Sequence, residues 1–293
     1  MSATPVTASP RAAGPSAARP RLLEARRRRE GWFRTLLVGI ITLVALVPIL
    51  VVVWLALRPR LYSGESGPTL STFVYIFRST NILWWLRNSL LVAATATVLS
   101  VVVAAPAGYV LSRGRGKGVA GFSLLIFVIQ SFPIVVFVIP LFIMFAKLGL
   151  VDSIWGVAIV YVASSVSVAC WMMSSYFDTI PMALEEAAWI DGASVFGGFV
   201  RVVLRNSLPG VLSTAIFSFL LAWNDYLVAL VFLRSDLQFT LPVGLQTFFQ
   251  QNATDWGPVM ACAVVMALPP VLVFAVLGRY FSVGGIGGSL AGS

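Results

Sequence analysis

Histidine is absent from the 293 residues, and charge is scarce: Asp, Glu, Lys and Arg together make up 11% of the chain. Without an imidazole, no mechanism that needs a histidine base is open, and the commonest metal ligand is missing. A soluble domain carries about 25% charged residues. A chain this poor in charge cannot cover a water-facing surface, and lipid is its natural solvent. The only two cysteines, Cys170 and Cys262, stand inside apolar stretches. They read as small buried hydrophobes, not as a disulfide framework or a metal site. A G-x-x-x-x-G-K-[ST] phosphate loop is missing too: Gly114, Gly116, Lys117 and Gly118 have neither its spacing nor its hydroxyl. The sequence therefore offers no ATP site of its own.

What is present is apolar: 59% of the residues are hydrophobic and the mean hydropathy is +0.93. A spanning helix needs roughly 20 apolar residues. Six stretches qualify, near 33–57, 89–111, 119–146, 154–175, 209–233 and 258–281. The third holds Pro133 and Pro140, which predicts a kinked or interrupted helix. The second is rich in small residues, among them Ala93, Ala96, Ala104, Ala105 and Gly108, which lets neighbouring helices approach closely. The expected fold is an all-α membrane protein with six transmembrane helices over residues 32–281. An unstructured cytoplasmic tail over 1–31 precedes it, and a short cytoplasmic tail over 282–293 follows.

The net charge of +9 does not point to nucleic acid, because eight of the 20 Lys and Arg residues lie in the first 34 positions, including Arg26 to Arg29. The others are scattered between apolar runs, as the positive-inside rule arranges them. With the N-terminus inside, fourteen basic residues fall on the cytoplasmic side and six outside. The short loop carrying Arg113, Arg115 and Lys117 then reads as an inner turn. Both termini are expected in the cytoplasm. The outer segment 58–88 holds Trp84 and Trp85 beside Arg87, residues suited to a membrane interface. The outer segment 234–257 is polar and mixed.

The inner loop over about 176–208 carries the most information. Pro181 suits the first turn of a helix, with Asp178 or Thr179 as a candidate cap. Residues 182–191 then suit a short helix with Leu184, Ala187, Ala188 and Asp191 on one face, and Gly192 is a plausible stop. The physics gives a short helix on the cytoplasmic side with a small-residue face. It either lies on the membrane surface as a connector or docks into a partner. Glu185 reads as solvated.

The run Glu186-Ala187-Ala188, two residues, then Asp191-Gly192-Ala193 resembles the EAA motif of ABC-importer permeases, and more closely the carbohydrate permeases of the maltose-permease kind. LGLVDSIWG (148–156), FLLAWNDYLVALVFL (219–233), SFPIVVFVIPLF (131–142) and the C-terminal GRYFSVGGIGGSLAGS resemble other parts of that family, so the likeness covers roughly 30–293. The chain departs from the family at Leu204 and Arg205, where Leu-Pro is usual, although Leu208-Pro209 follows. The resemblance implies a type I importer permease fold whose 182–192 helix is a coupling helix seated in a separate ATP-binding subunit. Glu186, Ala187, Ala188, Asp191, Gly192 and Ala193 would couple to that ATPase, with the C-terminal tail as a further candidate contact. It also implies the partners: a second permease chain, two ATP-binding subunits that hold ATP and magnesium, and an extracytoplasmic binding protein delivering a sugar or polyol. This chain would carry no cofactor or metal and would not itself be an enzyme.

Asp225 is the sharpest isolated signal, because a charge inside a span costs about 2.5–3.5 kcal/mol on insertion scales and must face protein or water. With Trp223, Asn224 and Tyr226 it is a candidate for lining the solute path; the other reading is an interhelical hydrogen bond that fixes packing. Gln130, beside Pro133, is a weaker candidate for the same path. An ion-coupled secondary transporter is the alternative function, and it would want several buried carboxylates and an internal repeat. Neither is apparent here.

Overall fold

The computed structural model describes residues 18–281 apart from 61–63, 65 and 250–253. Among these, every regular element is helical. The chain forms two compact units, Met1–Val51 and Val52–Ser293. The first is described from Ala18, as most of helix α1 (Ala18–Ala56). Its stretch Trp32–Ala56 is long and apolar enough to cross a membrane. The expectation of an unstructured tail over 1–31 is corrected for residues 18–31, which continue the helix. Leu, Glu, Ala and Arg are good helix formers, and extending an existing helix avoids the cost of nucleation. Residues 1–17 and the glycine-rich tail 282–293 lie outside the described residues.

The second unit contains α2 (Ser71–Ser79), α3 (Ile82–Arg113), α4 (Lys117–Ser131), α5 (Ile134–Lys147) and α6 (Ile154–Phe177). There follow α7 (Ala183–Ile190), α8 (Val195–Asn206), α9 (Leu208–Asn224), α10 (Leu227–Phe232), α11 (Leu241–Gln246) and α12 (Trp256–Phe281). Among the described residues four helices are long and apolar enough to span a membrane singly, and two bent pairs bring the number to six if each counts as one span. The α4–α5 pair bends by 92° at the expected place. Pro133 forces Phe132 into an extended conformation (ψ 128°), and a helix cannot pass through such a pre-proline residue. Pro140, by contrast, sits inside α5 without breaking it.

Two boundaries differ from the sequence expectation. The second span starts at Ile82, not 89, so Trp84 and Trp85 belong to its first turn. Trp84 is exposed, and Trp85 is buried at 2% exposure. The fifth span is not continuous over 209–233: α9 ends at Asn224, Asp225 is extended (ψ 132°), and α10 restarts at Leu227. The segment 234–257, expected to be outer, polar and mixed, is not a plain polar loop either, since α11 packs Leu241, Pro242, Val243 and Gly244 into the core.

The small residues of α3 do what their size allows. Ala93, Ala96, Ala104, Ala105 and Gly108 are buried. A Cβ on Gly108 would lie 2.7 Å from Met173 Cβ and 2.9 Å from the Ser174 nitrogen, so α3 and α6 touch backbone to backbone there. Ser100 and Ser165 hydrogen-bond across the same interface at 2.6 Å. Cys170 and Cys262 are buried and unpaired, packed as small apolar side chains.

Candidate functional site

The α7 loop is built by local caps. Ala193 N–H donates to Ala188 O at 2.9 Å and Gly192 N–H to Trp189 O at 3.0 Å, with Gly192 at φ +88°. This is a Schellman stop: Asp191 is the C-cap residue, Gly192 takes the left-handed position, and Ala193 falls beside Ala188. The spacing between the two alanines and Asp191-Gly192-Ala193 therefore has a backbone cause. Ser194 caps the next helix by accepting from Gly197 N–H at 3.1 Å. The start of α7 differs from expectation. Met182 is the N-cap, without a side-chain bond. Asp178 instead accepts from Ser112 Oγ, and Thr179 Oγ donates to Tyr176 O at 2.7 Å. Both candidate caps are spent elsewhere.

Glu186, Ala187, Asp191 and Gly192 are exposed, and Ala188 and Ala193 are half-buried. Around them Leu184, Ile190, Val195 and Phe196 are exposed apolar side chains, Ile190 to 86%. The loop thus presents an apolar knob edged by acid. Glu185 corrects the solvated reading: it is 0% exposed, with Arg113 Nε at 2.7 Å and the Tyr109 hydroxyl donating at 2.7 Å. Tyr109 and Arg113, four residues apart on α3, were the available signal. Beyond the loop, a π turn over Phe199–Val203 lies inside α8. Arg205 is an exposed residue of α8, and the exit falls at Ser207, where the chain bends by 77° into α9. Pro209 then occupies the first turn of α9.

The candidate path residues separate into three places. Asp225 and Gln130 line one cavity of about 440 Å³, together with Tyr161, Ser164, Ser167 and Phe137. Asn224 and Tyr226 line a second cavity, also about 440 Å³, with Gln246, Phe249 and Met266. Trp223 lines neither; it is 1% exposed in the core. Its indole N–H donates to Met266 O at 3.1 Å. Pro270, four residues further along α12, has no N–H to offer that carbonyl, so Trp223 supplies the missing donor.

Asp225 causes the break that separates the cavities. Its Oδ1 accepts from the Tyr161 hydroxyl at 2.7 Å and from Val228 N–H at 3.0 Å, so the carboxylate caps α10 while tied to α6. Tyr161, Ser164 and Ser167 were not singled out in the sequence, because nothing local marks them as neighbours of Asp225.

In the connection between α5 and α6, Asp152 stands at φ +58° and binds the start of the segment after α10. It accepts from Arg234 N–H and Ser235 N–H, both at 2.9 Å, and from Ser235 Oγ. Burial by itself raises the carboxyl's pKa. The hydrogen bonds from Ser235 and Arg234, with the Arg234 charge, outweigh burial and hold it below the ordinary value. A depressed folded pKa means the tie is complete above the unfolded value of about 4 and is lost as pH falls through the folded one. Asp152→Asn tolerates the positive φ, removes the charge and turns one of the two acceptor oxygens into a donor. We expect the variant to melt below the parent at pH 7, with the gap closing as pH falls below about 4 toward the depressed folded value. A gap independent of pH in thermal melts would contradict this.

Residues 100–282 match the family model described as "Binding-protein-dependent transport system inner membrane component". The chain is 35% identical over 240 residues to the inner membrane ABC transporter permease protein YcjP of Escherichia coli K12, covering 81% of this chain and 85% of the relative. It is 31% identical to the trehalose/maltose transport system permease protein MalG of Thermococcus litoralis, covering 78% and 83%. Its fold is similar to a chain in the crystal structure of a bacterial ABC transporter involved in the import of the acidic polysaccharide alginate. There the TM-score is 0.70 at 24% identity, covering 87% of this chain and 97% of the other.

Proposed function

This chain belongs to the binding-protein-dependent transport system inner membrane components, among their carbohydrate ABC permeases, and from that premise we propose that its α7 loop is the docking element for a separate ATP-binding subunit. It is a multi-pass membrane permease, and ATP hydrolysis belongs to partner subunits. The observation that carries the docking role is the exposed face of Leu184, Glu186, Ala187 and Ile190, held at a fixed angle by the Gly192 stop. In this reading Glu186, Ala187, Ala188, Asp191, Gly192 and Ala193 form the contact. Closure of ATP-loaded partners moves α7 and switches the spans between inward-facing and outward-facing. The complete importer contains a second permease chain, two ATP-binding subunits and an extracytoplasmic binding protein. Both termini of this chain lie in the cytoplasm.

The solute is a sugar or related polyol. Amide, phenol and hydroxyl groups of Gln130, Tyr161, Ser164 and Ser167, beside an Asp225 carboxylate whose Oδ1 is taken up by Tyr161 and Val228, suit a hydroxylated molecule, and the relative from Thermococcus litoralis is named for trehalose and maltose. Co-purification from detergent-solubilised membranes tests the docking role. The parent chain is expected to bring down an ATP-binding subunit. Glu186→Lys combined with Ile190→Asp should lose it while still inserting in the membrane. A parent that brings down none, or a variant that keeps its full share, would refute the assignment.

A further inference from the structure

Two adjacent glutamates in α7 have opposite fates. Glu186 is exposed on the docking face; Glu185 points the other way and is 0% exposed. A carboxylate so buried persists as a charge only with a partner, and Arg113 Nε at 2.7 Å, with its side chain 16% exposed, provides one. The Tyr109 hydroxyl occupies Glu185 Oε2 at 2.7 Å, and Arg113 Nη2 reaches back to Ile180 O at 2.8 Å. Ser112 Oγ donates to Asp178. The last turn of α3 thus grips the connection from α6 at Asp178, Ile180 and Glu185. α7 also packs on the start of α8, where a Cβ on Gly198 would lie 2.9 Å from Trp189 Nε1; its charged tie is to α3.

The outer end of α3 carries a second set of ties. Trp85 Nε1 donates to Asp236 O at 2.9 Å. Asn88 Nδ2 donates to Leu237 O at 2.8 Å and Phe239 O at 3.0 Å, and Ser89 Oγ accepts from Leu241 N–H at 2.7 Å. These hold the segment that leads into α11. At a helical rise of 1.5 Å per residue, Trp85 and Tyr109 are about 36 Å apart along one continuous helix. One continuous helix, with Pro106 inside it, therefore holds the docking helix at one end and the segment leading into α11 at the other.

We propose that Glu185 is a positioning residue for energy coupling: its ion pair with Arg113, steadied by Tyr109, fastens α7 to α3, so that movement imposed on α7 is delivered to the outer segment. This rests on the docking role of α7. Glu186 makes the contact outside the chain, and Glu185 makes it effective inside.

The test uses the whole importer, with its partner permease, ATP-binding subunits and binding protein, reconstituted in proteoliposomes. Solute taken up and ATP hydrolysed are measured together. Glu185→Gln keeps the shape and removes the charge. We expect it to assemble with ATP-binding subunits as the parent does, while solute moved per ATP falls about tenfold, within the usual range of coupling between sites. The reciprocal pair Glu185→Arg with Arg113→Glu should recover most of the ratio, and Tyr109→Phe should lower it by a smaller factor. An assembled Glu185→Gln importer with the parent ratio overturns the proposal. If Glu185→Gln does not assemble, Tyr109→Phe decides, and an unchanged ratio there overturns it equally. A parent chain that binds no ATP-binding subunit refutes the docking role instead, an outcome that is separate from an intact importer with unaltered coupling.

Discussion

Gly244→Leu is expected to unfold the segment that carries α11. A Cβ at that position would lie 2.2 Å from Cδ2 and Cε3 of Trp85, well inside contact distance. The indole cannot swing aside. It is 2% exposed, its N–H is bound to Asp236 O at 2.9 Å, and its ring meets Phe248 edge-on with centroids 6.0 Å apart. Overpacking a core costs about 1–3 kcal/mol and occasionally more; a collision with a fixed ring belongs at the upper end. Trp85→Ala should itself cost about 3–5 kcal/mol through the cavity it leaves. The two together should cost less than their sum, because the leucine fills the space the indole vacated. Thermal melts of the four members of this cycle in detergent test the contact directly. A Gly244→Leu protein that melts with the parent, or strict additivity, would show that Trp85 does not rest on Gly244.

The elements legible in the sequence are those whose causes are local. Apolar runs gave the spans, Pro133 the 92° bend, and Gly192 the end of α7, because each acts within a few residues of itself. What could not be read rests on partners distant along the chain. Glu185 meets Arg113 72 residues away and Tyr109 76 residues away, so its burial is invisible to any window on α7. Asp178 and Thr179 had the right chemistry to cap α7, but Ser112 claims the first and the α6 backbone the second. Trp223 read as a candidate for lining the solute path; its role in the core follows from Pro270, which deprives Met266 O of a donor. The fifth span read as continuous because its residues are apolar throughout except near Asp225, and a single acid does not announce which way a helix will break.

Asp225→Leu is expected to abolish uptake while the chain still inserts and assembles. Leucine removes the acceptor of two donors at once, the Tyr161 hydroxyl at 2.7 Å and the Val228 N–H at 3.0 Å. Tyr161 is 2% exposed, and a buried hydroxyl left without its acceptor costs about 1–3 kcal/mol. The Val228 N–H is one of the unpaired donors at the start of α10, and within a membrane it too must be met from inside the protein. The cheapest repair is to run α9 into α10 as one helix, which erases the extended residue between the two cavities. Asp225→Asn retains an acceptor oxygen for both donors and should keep most of the uptake. Tyr161→Phe added to Asp225→Leu should make matters no worse, since the hydroxyl it removes has already lost its partner. Uptake by the reconstituted importer at equal chain content separates the two roles open to this carboxylate. A large loss in Leu with little in Asn assigns it to holding the break; an equal loss in both would mean that the negative charge itself meets the solute.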